Sequence, residues 1–189
     1  MSTPAHEIHH DYGDYLALEA SSNVKHEFLR GQIYAMAGGT PEHAALAAAV
    51  IGLLFPQLRG SACRAYDADL RVRTPSGLTT YPDVTIVCGA TARDAEDRQA
   101  VTNPALIVEV LSRSTEEYGR GDKFEHYKSV GSLRQYVLVA HQQRAFEVWS
   151  RGDGGEWTRV TAHDGDAAQL AIGARLDVRE LYEPRPNNA

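Results

Sequence analysis

Glu109 lies inside the run Ala105-Leu106-Ile107-Val108-Glu109-Val110-Leu111, whose neighbours spell a buried strand. Glutamate is almost never fully buried without a partner, so something must answer its charge. A structural arginine could do so, and so could a cleft holding a metal ion or a proton in transit. Asp83 follows Pro82 and opens a second apolar run, Val84–Cys88. Alone, Pro82-Asp83 reads as an ordinary turn. If the two runs are neighbouring strands, however, both carboxylates reach the same mouth of the sheet and repel unless a cation or proton sits between them. Hard oxygen donors without His or Cys at metal spacing favour magnesium or manganese over zinc. Side chains alternate along a strand, so Leu111 shares the face of Glu109 and supplies no positive charge there. Lys123, further along, has a stem long enough to enter the same volume and orient a water or stabilise a developing negative charge. Its other reading is a solvated lysine paired with Glu116, Asp122 or Glu125.

Those side chains need elements to carry them. Val84–Cys88 and Ala105–Leu111 predict central strands covered on both faces. Ser114-Thr115-Glu116-Glu117 predicts a capped helix running to about Val130, with Gly131 as its stop, and this helix carries Lys123. Upstream, the spacing of Tyr12, Tyr15, Leu16 and Leu18 predicts a first helix. Lys25–Met36 predicts a hairpin about Arg30-Gly31, and Thr40-Pro41 opens a helix ending before Gly60 that is nearly apolar all round. Arg64–Tyr66, Asp69–Arg73, Thr79–Tyr81, Gln135–Ala140, Ala145–Ser150 and Trp157–Thr161 read as strands, and Ala90–Asn103 as a polar surface excursion. Asp177–Tyr182 predicts a short last helix. The fold class is therefore mixed α/β or α+β, a central mixed sheet flanked by helices with additional hairpins.

The 189 residues suit one domain, with a core over about 15–182 and loose termini at 1–11 and 184–189. With 19 Lys and Arg against 25 Asp and Glu, the net charge of −6 excludes nucleic-acid binding by bulk charge and demands a local basic surface or a metal ion. Cys63 and Cys88 lie in apolar contexts far apart in sequence and read as buried free thiols. His6, His9 and His10 read as part of a frayed polar terminus rather than a metal tract. With neither a leader pattern nor an apolar stretch of membrane length, the expectation is a soluble, cytoplasmic protein.

Asp83 after Pro82, Glu109-Val110-Leu111 and Gly121-Asp122-Lys123-Phe124 together resemble the PD-(D/E)XK, restriction-endonuclease-like superfamily. Within it the chain resembles the bacterial Uma-two family of restriction-endonuclease-like proteins, from about Tyr15 to Tyr182. The ordered series includes Lys25 to Gly39, Asp69 to Arg73, Tyr81 to Val84, Asn103-Pro104, Glu109 to Ser112, Tyr118 to Lys123 and Tyr127. The resemblance implies Mg²⁺-dependent (or Mn²⁺-dependent) hydrolysis of phosphodiesters, with DNA the expected substrate. Asp83 and Glu109 become metal ligands, the Val110 carbonyl a backbone ligand, and Lys123 the lysine moved from strand to helix. Glu27 matches an early family glutamate that supports a second metal or a water. His43 and Asp69 match recurrent positions without an assigned role. Arg113 stands where the family has proline, and His141 where an aspartate is common.

Arg71, Arg73, Arg113 and Arg120, with Arg59 and Arg64, are the candidates for holding a nucleic-acid backbone. The competing function is a catalytically inactive binding or scaffold protein that keeps the fold, motivated by the net charge, Arg113 and His141. A serine hydrolase using Ser112 or Ser114 with His126 is disfavoured, because no Gly-x-Ser-x-Gly elbow exists. Apolar residues on several faces of the helix at Ala44–Leu58 predict a homodimer.

Overall fold

The computed structural model describes residues 9–112 and 116–183. Asp11 caps helix α1 (Tyr12–Ser21) through a reciprocal capping box with Asp14. The expected hairpin forms from β1 (His26–Leu29) and β2 (Gln32–Ala35), and its tight turn places Arg30 and Gly31 at positive φ. Thr40 accepts the His43 N–H to cap α2 (Pro41–Gln57), with Pro41 in the first turn, as the sequence predicts.

The chain continues through β3 (Cys63–Tyr66), β4 (Arg71–Arg73), β5 (Thr79–Thr80), β6 (Val84–Cys88), β7 (Ala100–Val101) and β8 (Pro104–Leu111). After β8 come helices α3 (Glu116–Arg120) and α4 (Asp122–Lys128), then β9 (Gln135–Ala140), β10 (Ala145–Arg151) and β11 (Trp157–His163). A short hairpin of β12 (Ala167–Gln169) and β13 (Arg175–Asp177) leads into α5 (Val178–Leu181), which Asp177 caps.

Six strands form a mixed sheet in the order β11-β10-β9-β8-β6-β3, with β8 and β9 parallel and the remaining pairs antiparallel. A second, five-stranded sheet in the order β2-β1-β5-β4-β7 packs the opening hairpin beside the excursion after β6. Val108 and Val110 of β8 face a core shared with Val50 and Leu54 of α2, whereas Ile107 and Leu111 face Phe124 and Tyr127 of α4. Both faces of β8 are thus covered, which is why its sequence is continuously apolar. Glu109 falls on the face of α4 by the same alternation.

Four expectations are corrected. The predicted helix from Ser114 to Val130 is two helices that break at Gly121, and its proposed cap, Ser114, lies outside the described residues. The strand expected at Asp69 starts at Arg71, since Asp69 belongs to the turn before it. The excursion 90–103 is not all loop: Ala100–Val101 adds a strand beside β4. Cys63 and Cys88 are not free thiols but a disulfide, because β3 and β6 pair in a register that sets them directly opposite. Sequence separation gave no hint of that proximity. Among the described residues, no helix is long and apolar enough to cross a membrane.

Candidate active site

The ladder between β6 and β8 pairs Val84 with Val108, so Asp83, one residue before β6, stands across from Glu109. Residues opposed in an antiparallel pair project to the same face, which puts both carboxylates at the same end of the sheet. Asp83 Oδ2 accepts the backbone N–H of Val110 at 2.7 Å, a bond that holds the carboxylate against the end of β8. His43, in the first turn of α2, brings Nε2 to 3.3 Å from the same oxygen. Its pKa is raised, first by the hydrogen bond to Asp83, against burial, and further by Asp83's charge and a bond to the Val110 backbone.

Lys123 is 6% exposed and reaches Glu109 Oε1 and Glu27 Oε1, each at 2.9 Å. Tyr127, one helical turn after Lys123, donates its hydroxyl to Glu109 Oε1 at 2.8 Å. Glu27 is held by the hydroxyls of Thr80 and, at 3.2 Å, Tyr118. Burial pushes the Glu109 carboxyl up to about 7, with Lys123 opposing the shift and Asp83 adding to it. Burial opposes the charge on Lys123, but Glu109 and Glu27 outweigh it and hold the ammonium above the ordinary lysine range. Burial also opposes ionisation of Glu27, yet Lys123, Thr80 and Tyr118 keep its pKa low. The result is a charged lysine, an ionised Glu27 and a Glu109 that retains a proton more readily than an ordinary carboxyl.

These groups line a cleft of about 420 Å³ together with the chain from Tyr34 to Thr40, Ser112 and His141. Asp83 Oδ1 and Glu109 Oε2 take part in none of the bonds described above. Two carboxylates on adjacent strands, each with an oxygen to offer, suit a hard divalent cation. Among the described residues, no three His, Cys, Asp or Glu side chains converge as a metal cluster. Further ligands would therefore be backbone carbonyls and water, as magnesium tolerates.

The structure brings Asp83, Glu109, Val110, Lys123, Glu27 and His43 to the cleft. Asp69 is elsewhere, exposed and paired with Lys25 at 2.5 Å. The arginine assignments change with burial. Arg71, 6% exposed, binds Asp97 at 2.5 Å, Glu19 at 3.2 Å and the Tyr81 hydroxyl at 2.8 Å, so its guanidinium is committed inside the protein. It is an internal ion-pair residue rather than part of a surface stripe. Arg73 pairs with Asp94 and Glu96, and Arg120 with Glu116 and Glu147. Arg113 lies outside the described residues. Sequence reasoning gave no role to Thr80, Tyr118 or Tyr127. Tyr118 and Tyr127 do fall in the series that resembles the family, and the spacing of Tyr127 from Lys123 puts both on one helix face.

A mixed sheet flanked by helices, with acidic residues and a lysine gathered at the strand ends, defines the nuclease-like class of fold. A solved structure described as a putative nuclease belonging to DUF820, from Anabaena variabilis, superposes with a TM-score of 0.69 over 85% of this chain and 91% of that one, at 15% identity. Such a likeness establishes the fold. The family model described as "Putative restriction endonuclease" matches residues 12–179, and the chain belongs to that family, Uma-two. Two uncharacterised proteins of Synechocystis sp. are relatives: slr1290 is 34% identical over 89% of both chains, and sll1609 is 31% identical over 67% of this chain and 72% of its own.

Proposed function

We propose that this chain is a metal-dependent endonuclease that hydrolyses phosphodiester bonds, with DNA as substrate. The observation that carries the reading is Asp83 across from Glu109, with the buried ammonium of Lys123 against Glu109 in an open cleft. In this reading Asp83, Glu109 and the Val110 carbonyl would hold Mg²⁺ or Mn²⁺. Such an ion would supply a ligated water of lowered pKa and a counter-charge for the phosphate.

The protein groups have separate tasks. Lys123, kept protonated by two carboxylates, orients the attacking water and faces the negative charge that grows on the phosphate. Glu27 anchors Lys123 from the opposite wall, and Tyr127 fixes the rotamer of Glu109. His43 restrains Asp83 while the Val110 N–H holds it from the strand side. We place all of this in one domain and the working protein in the cytoplasm, where a DNA substrate is found and where the Cys63–Cys88 pair meets a reducing thiol pool.

The homodimer belongs to the same proposal. One face of α2 leaves Ala44, Ala45, Ala48, Gly52 and Phe55 exposed, Phe55 by 55%, and small residues at helical spacing let a second helix approach closely. Light scattering at micromolar concentration tests it: a mass near 20.7 kDa throughout rejects the dimer. The activity is tested by cleavage of a nucleic-acid panel with and without Mg²⁺, with Asp83→Ala as control. Absence of Asp83-dependent Mg²⁺ binding in calorimetry would replace the enzyme with the inactive scaffold.

A further inference from the structure

Resting on the hydrolase reading of this cleft, we infer that Tyr34 is a base-stacking platform that makes the site select unpaired nucleotides over duplex. Tyr34 is directly opposite Glu27 in the β1–β2 ladder, so the two side chains share a face of the hairpin. Glu27 spends that face on Lys123, and Tyr34 lines the same cleft. Tyr34 is 53% exposed, whereas Tyr15, Tyr127 and Tyr136 are fully buried. Beside it in sequence, Ala35, Met36 and Ala37 add apolar lining to the same cleft.

Charge makes this lining matter. Nucleic-acid binding commonly draws its affinity from lysines and arginines that displace counterions from phosphates. Here the basic side chains among the described lining residues are Lys123, already shared by two carboxylates, and the imidazoles of His43 and His141. Arg71, Arg73 and Arg120 are likewise committed to acidic partners. The described lining offers little uncommitted positive charge, and stacking on an aromatic ring is a contact that every base can make. Bases in a duplex have both faces covered, so reaching Tyr34 requires unstacking, which an unpaired strand, flap or end avoids. The substrate class is therefore a strand whose base next to the scissile phosphate is free.

The test uses a short DNA single strand carrying 2-aminopurine, and the same strand in duplex, bound in EDTA so that affinity is read apart from cleavage. The wild-type protein should bind the single strand more tightly than the duplex and quench the 2-aminopurine. Tyr34→Ala should weaken single-strand binding by roughly 5- to 150-fold, the loss of one base–aromatic stack, and abolish the quench. Tyr34→Phe should retain both. Tyr34→Ala binding like wild type, Tyr34→Phe failing like Tyr34→Ala, or equal affinity for duplex and single strand would each overturn the inference. Cleavage in Mg²⁺ separates the two readings. Tyr34-dependent binding without any cleavage ends the hydrolase and keeps the platform, whereas cleavage with unchanged KM in Tyr34→Ala does the reverse.

Discussion

Lys123 meets Glu109 at 2.9 Å from a helix, not from the strand that carries the glutamate. The position two residues after Glu109 is Leu111, packed into the core beneath α4, so the cation reaches the glutamate from the helix that covers this face of β8. The same ammonium also answers Glu27, which makes it the sole shared neighbour of two buried carboxylates in the contacts described.

Removing that charge should therefore cost both stability and activity. Lys123→Met leaves Glu27 and Glu109 buried without their cation, a loss of about 3–5 kcal/mol for breaking a buried pair from one side. Urea unfolding should show it at pH 8, with cleavage lost in the same protein. If Lys123→Met is as stable as wild type and still cleaves, neither role stands.

Metal affinity should depend on pH through Glu109. Its carboxyl is raised to about 7, chiefly by burial, and a cation needs it deprotonated. Affinity for Mg²⁺ should be level above that value and weaken below it, approaching roughly tenfold per pH unit as one proton competes with the ion. Calorimetric titrations from pH 6 to 8 check the slope. A flat profile would remove Glu109 from the ligand set.

Tyr127→Phe deletes the hydroxyl that donates to Glu109 while keeping the ring in the core. The buried carboxylate loses one of its two donors, at a cost of about 1–3 kcal/mol. Cleavage should fall without disappearing, and the pH midpoint of metal binding should rise. A change in stability with an unmoved midpoint would mean that the hydroxyl serves packing alone.

The Cys63–Cys88 bond lies at the end of β6 remote from Asp83 and ties the edge strand β3 into the sheet. Reduction, or Cys63→Ala with Cys88→Ala, should lower the unfolding free energy by up to about 3 kcal/mol through loss of loop closure. Cleavage per folded molecule should stay unchanged. A loss of activity without unfolding would connect that edge to the site.

The sequence by itself singled out the residues to which the chemistry is proposed to belong. A glutamate in a seven-residue apolar run and an aspartate opening another are anomalies visible without coordinates, because burial of charge is costly wherever it occurs. Helix α2, the β1–β2 hairpin and the strands β6 and β8 were legible for a similar reason: their caps, turn and patterning are set by neighbours in the chain. Contacts between distant segments were not. Arg71 looks like a surface cation in sequence, yet Glu19 and Asp97 come from far along the chain to enclose it. Cys63 and Cys88 meet only because the β3–β6 register sets them opposite. Tyr34 faces the site only because its strand pairs with the one bearing Glu27. Side-chain identity is local information, but pairing register and the enclosure of a charge depend on which segments fold together, and that only the tertiary structure decides.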